Sequence, residues 1–66
     1  MFYFKIIQIN EYKQNFGQYK CNKPSEAVYK VMKKMENNKH IHSMKVKNKI
    51  SKKIYYYNNV QHMIEQ

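Results

Sequence analysis

The chain contains no arginine and no aspartate, and it has one cysteine, one glycine and one proline. Without arginine there is no planar guanidinium fork, the group that most often reads guanine, so any nucleic-acid binding should depend little on base sequence. The lone Cys21 cannot form an internal disulfide, which points to a reducing compartment or to indifference to redox state, and it reads as a small core or strand residue. Carboxylates are scarce: Glu11, Glu26, Glu36 and Glu65 are scattered among thirteen lysines. No nucleophile, base and orienting group converge along the chain, so no enzyme, cofactor or small-molecule substrate is expected. A long apolar run is also missing. Residues 1–9 are apolar but interrupted by Lys5 and Gln8, with no basic leader and no small-residue cleavage site, so neither a signal peptide nor a membrane span is expected.

What is present is a formal charge of +9 on 66 residues, enough for one small domain covering residues 1–66. Such an excess repels itself unless it meets an anionic partner. With 42% hydrophobic residues and ten aromatics, seven of them tyrosine, the composition is not that of a disordered basic tail. Phe, Tyr, Met, Ile, Asn and Lys together make up 43 of the 66 residues, and all six have codons rich in A and T. An AT-rich genome would therefore supply many lysines regardless of function, and the argument has to rest on their positions.

Residues 2–9 are rich in β-branched and aromatic side chains and predict a first strand. Phe2, Phe4 and Ile6 share one face while Ile7 and Ile9 fall on the other, so either the strand is buried on both sides or, the favoured reading, a bulge near Ile6 and Ile7 resets the face. Residues 10–15 would form the connection and 16–21 the returning strand, with Gly17 marking a bulge or a close backbone approach. Pro24 suits the first position of a helix, capped by Asn22 or Lys23, with Glu26 in its first turn and Asn37-Asn38 at its end. Ala27, Val28, Val31, Met32 and Met35 recur at helical spacing and predict its core stripe, while Lys33 and Lys34 complement its C-terminal end. The period then changes to two. Over residues 40–49, His42, Met44 and Val46 alternate with Ser43, Lys45, Lys47 and Lys49; after a turn at Ile50-Ser51, residues 52–60 read as a last strand. That strand would carry Ile54 and Tyr56 on one side and Lys53, Tyr55 and Tyr57 on the other.

These spacings define the candidate site. Lysines at every second strand position stand side by side and can track a phosphate backbone, and aromatics on the neighbouring strand can stack on bases or wedge into a groove. The alternative is a solvated outer sheet face. His40-x-His42, with Cys21 or His62, lacks the tight paired spacing of structural zinc sites, and no metal is expected.

Two segments resemble a known family. The run from Gly17 through Tyr19, Pro24 and Ala27 to Lys30, and the block Lys52-Lys53-Ile54-Tyr55-Tyr56-Tyr57, are similar in order and spacing to the methanogen chromosomal protein family, small archaeal chromatin proteins with relatives in large DNA viruses. The resemblance spans most of residues 2–64. It implies an α+β fold, a small bent antiparallel sheet or pseudo-barrel with one packed helix in the order ββαββ. It also implies binding to double-stranded DNA without strong sequence preference, with bending. Lys52, Lys53, Tyr55 and Tyr57 inherit DNA contact by position, with Lys45, Lys47 and Lys49 beside them. Val60 departs from the tryptophan usual there, and the chain ends at Gln66 before the family's extended arm, so bending is expected to be smaller or to be made up by self-association as a homodimer. The implied location is intracellular: a virion nucleoid, viral factory or host nucleus. Two rival partners are an RNA or other single strand stacked on exposed tyrosines, and an acidic protein surface.

Overall fold

In the computed structural model of the chain, residues 1–35 and 38–63 are described. The elements run β1 (Phe2–Ile9), β2 (Tyr12–Lys13), β3 (Gln18–Cys21), α1 (Pro24–Lys34), β4 (Ser43–Asn48) and β5 (Ile54–Asn58), followed by a 3₁₀ turn at Val60–Met63. All strand pairs are antiparallel, in the order β2-β1-β4-β5, with β3 also on β1. The fold is α+β, one helix packed on a small antiparallel sheet. The order ββαββ agrees with the sequence reading, the second strand being split into β2 and β3.

The split follows from Gly17, whose φ of 128° is one that L side chains rarely adopt. A Cβ there would lie 3.3 Å from the ring of Tyr19, a contact that a shift of a few tenths of an ångström would relieve, so it is the backbone conformation that calls for glycine. The expected bulge is also present. β1 pairs with β4 as Ile6↔Val46 and then Gln8↔Lys45, so the register shifts at Ile7. The extra residue lets Phe4, Ile6 and Ile9 all reach the core, where each is at least 95% buried.

Pro24 opens the helix as expected, and Lys23 is its cap residue, without a side-chain capping bond. Ala27, Val28, Val31 and Met32 are buried against Ile6, Met44, Val46, Ile41 and Val60 in one apolar cluster. Met35 departs from the expected stripe. The helix ends at Lys34, Met35 is already extended, and its side chain is 37% exposed, on the lip of an apolar pocket lined by Ile9, Phe16 and Val31. Asn38 Nδ2 donates to the Met32 carbonyl at 2.7 Å, occupying one of the helix's terminal acceptors. Asn37, expected as part of the stop, lies outside the described residues. Cys21 is buried in the core and its Sγ donates to the Lys23 carbonyl at 3.3 Å; burial pushes its thiol up, which disfavours the reactive thiolate.

Asn10 joins the two halves of the chain. It sits at a φ of 55°, a left-handed conformation that asparagine tolerates better than most residues. Its Oδ1 accepts from the His42 N–H at 2.7 Å and the Ser43 N–H at 3.3 Å, its Nδ2 donates to the His40 carbonyl at 3.1 Å, and its own N–H donates to the Ser43 carbonyl at 2.9 Å. These bonds fix where β4 begins and so set its register on β1. Asn10→Ala should lower the free energy of unfolding by about 2–3 kcal/mol, combining lost acceptors with left-handed strain. Asn10→Gly, which tolerates the conformation, should lose about 1 kcal/mol less. Urea unfolding of the two variants checks this; equal losses would show that the backbone conformation contributes nothing.

Candidate nucleic-acid interface

Residues directly opposite in an antiparallel pair share a face, so the register assigns the sheet's outer surface. Lys5 stands opposite Lys47, and Lys47 opposite Ile54; Lys13 stands opposite Gln8, Gln8 opposite Lys45, and Lys45 opposite Tyr56. Lys20 faces Tyr3 at the other end of β1, its Nζ 5.7 Å from the ring centroid. The outer face thus carries Lys5, Lys13, Lys20, Lys45 and Lys47 with Tyr3 among them, and Ile54 and Tyr56 beside Lys47 and Lys45 on the β5 edge. The helix lies on the other side, over the core. Glu11, in the β1–β2 turn, and Glu26, on the helix, are the described carboxylates, and neither belongs to a strand of this face. Like charges directly opposite destabilise a sheet, so Lys5 against Lys47 costs stability unless something anionic covers the pair.

Beyond this face, the β4–β5 connection carries Lys49, Lys52 and Lys53. It is held by Asn48, which is 7% exposed and accepts from the N–H groups of Ile50 at 2.9 Å and Ser51 at 3.1 Å through Oδ1. The Asn48 N–H donates to the Lys53 carbonyl, and the Lys52 N–H to the Asn48 carbonyl, both at 2.9 Å. Lys52 itself has a φ of 66°. The result is a fixed turn with three exposed lysines and, between them, Ile50 with 75% of its surface in solvent.

Five of the seven residues assigned from sequence therefore lie on or beside one surface: Lys45, Lys47, Lys49, Lys52 and Lys53. Tyr55 and Tyr57 do not. They stand opposite the buried Val46 and Met44 and pack against the core, with Tyr55 edge-on to Phe4 at 6.4 Å between centroids. Burial, with Tyr55 as a secondary influence, pushes the Tyr57 hydroxyl above its ordinary pKa. Lys53 Nζ lies over the Tyr55 ring, 5.3 Å from its centroid. The exposed aromatic of β5 is Tyr56, at 59%, with Ile54 at 53% beside it. The two faces were not separable from sequence because residues 54–57 are apolar or aromatic at every position, and strand parity decides nothing when both sides could be buried.

Sequence reasoning also missed Lys5, Lys13, Lys20 and Tyr3. The first and last were within reach: once Phe4 and Ile6 are assigned inward, Tyr3 and Lys5 must point outward. The helix lysines form a separate group with local partners. Lys30 Nζ donates to the Lys20 carbonyl at 3.2 Å, and Lys33 lies over the Tyr29 ring at 5.5 Å. His40 and His42 are both exposed, and among the described residues no three His, Cys, Asp or Glu side chains are placed to hold a metal ion. No described helix is long and apolar enough to cross a membrane. Comparison with protein families, curated proteins and solved structures finds no match to this chain.

The face assignment has a direct stability signature. Tyr55→Ala should destabilise the fold by about 2 kcal/mol, from lost burial and the edge contact with Phe4. Tyr56→Ala should stay within about 0.5 kcal/mol of the parent. Thermal melts of the two variants measure the difference, and equal losses would place Tyr56 in the core as well.

Proposed function

We propose that this chain is a sequence-nonspecific architectural protein that lays the outer face of its sheet on double-stranded DNA and bends or compacts it. The observation that carries this reading is the five-lysine face, with exposed Tyr3 among its lysines and exposed Ile54 and Tyr56 along its β5 edge, continued by the fixed Lys49-to-Lys53 turn. Neighbouring lysines along β4 stand about 7 Å apart, close to the spacing of successive phosphates, so several can neutralise one strand at once. The resemblance to the methanogen chromosomal proteins points the same way. The bending element differs from the one that resemblance implies. Tyr55 and Tyr57 are committed to the core, and the apolar side chain best placed to wedge at a base step is Ile50, presented on a rigid turn between lysines.

With a longest dimension of 30 Å, one copy would cover about nine base pairs. Titration of duplex DNA at several salt concentrations tests the reading. Each phosphate contact contributes a slope of about −0.9 in log affinity against log salt, so the five sheet lysines alone give about −4 to −5. Replacing Lys5, Lys45 and Lys47 together with Gln should make the slope shallower by nearly 3. The same change at Lys23, Lys33 and Lys34, on the helix side, should alter it by less than about 1. Equal effects of the two triple variants would sink the assignment to the sheet face.

Ile50→Ser should reduce the bend, seen by energy transfer between labelled DNA ends, with the salt slope unchanged, because the side chain carries no charge. An unchanged bend would remove Ile50 as the wedge. One observation favours a second reading: Tyr56 and Tyr3 are exposed on an open sheet, as stacking platforms for unpaired bases would be. Competition between duplex and single-stranded DNA at equal salt distinguishes the two, and a preference for the single strand that is lost in Tyr56→Ala would establish the alternative.

A further inference from the structure

The sheet has two edges, and they are built differently. On one side β2 and β3 are short, interrupted around Gly17 and carry Lys13 and Lys20, while the outward carbonyl of Lys20 is occupied by Lys30 Nζ at 3.2 Å. Charged residues, breaks and covered groups of this kind keep an edge from pairing with another chain. On the other side β5 runs unbroken from Ile54 to Asn58 with no lysine, proline or bulge, and among the described residues nothing pairs with its outer side. The bond from the Asn48 N–H to the Lys53 carbonyl fixes the alternation along this strand. Lys53, Tyr55 and Tyr57 turn their backbone groups towards β4, leaving the N–H and C=O of Ile54, Tyr56 and Asn58 directed outward.

We propose that this edge is a pairing surface for a second copy of the same chain, added antiparallel about a twofold axis through Tyr56. In that register Tyr56 faces its own counterpart and Ile54 faces Asn58 of the other copy, so the three outward-directed residues meet as three pairs, each able to exchange both backbone bonds. The charge pattern fits a self-partner. The paired stretch is neutral, and Lys53 falls opposite Asn59, so no lysine meets a lysine across the seam. The two outer faces then join into one continuous basic surface, with the Tyr56 rings side by side at its centre. Five residues a side are well short of the roughly 800 Å² per partner of a stable complex. The association is therefore weak, with a dissociation constant on the order of 10⁻⁴ M. It is opposed by the +9 charge of each copy, so salt should strengthen it, the opposite of its effect on DNA binding.

That opposition allows pairing to be tested without nucleic acid and judged apart from the DNA reading. Sedimentation equilibrium of the intact chain, up to about 1 mM and at low and high salt, should show a dimer whose affinity rises several-fold with salt. Site-specific cross-linking then locates the seam. Facing residues of a hydrogen-bonded antiparallel pair have Cα atoms about 5.5 Å apart, within the span of a disulfide. Tyr56→Cys should therefore oxidise to a linked dimer. Ile54→Cys alone should give less than about a tenth as much, but should link efficiently when mixed with Asn58→Cys. These positions are exposed, so the variants should fold, and the native Cys21 is buried away from the oxidant. A chain that stays monomeric at 1 mM in high salt would overturn the proposal. So would Ile54→Cys linking to itself as readily as Tyr56→Cys.

Discussion

β1 is the strand on which β2, β3 and β4 all pair, and its eight residues serve one core only because the register shifts between Ile6 and Gln8. A strand alternates its side chains strictly, so without the extra residue Ile9 would face solvent and Gln8 the core. The bulge corrects the parity, and the corrected parity runs on through Asn10 into the start of β4. From there it decides that Met44 and Val46 point inward and Lys45 and Lys47 outward. The basic face and the apolar core are thus two results of one irregularity in the first strand.

That chain of consequences also marks how far the sequence could be read. The helix was legible because Pro24, Glu26 and the spacing of Ala27, Val28, Val31 and Met32 agree with one another, and local consistency of that kind leaves few alternatives. The bulge was legible because an apolar residue appeared on each parity of β1 in turn. In β5 the same method failed. Ile54, Tyr55, Tyr56 and Tyr57 satisfy either parity, and only pairing with Val46 and Met44, distant in sequence, selects Tyr55 and Tyr57 for the core. Met35 failed for another reason: the helix stops one residue too early for it.

From sequence the asparagines read as codon composition, as turn residues and, for Asn22 and Asn37-Asn38, as helix-end residues, yet several also organise the backbone. Asn10 and Asn48 each hold two N–H groups through one side-chain oxygen, Asn15 accepts from Gly17 at 3.0 Å, and Asn38 occupies a helix-end carbonyl. A short polar side chain that bonds to backbone a few residues away substitutes for the turn glycines this sequence lacks. An AT-rich codon supply and a need for tight connections are met by the same residue. Composition alone could not separate the two, whereas the hydrogen bonds do.

The direct opposition of Lys5 and Lys47 has a consequence for the lifetime of the protein. Any polyanion laid across the pair relieves their repulsion, so its binding energy adds to the free energy of folding. A small domain with little stability to spare then resists unfolding best while it is occupied. If such a polyanion is the protein's partner, copies without it would open more often, and a protease that cleaves only opened chains would remove them first. The amount of protein that persists would follow the amount of polyanion present to receive it, and no separate regulator would be needed to keep the two in proportion.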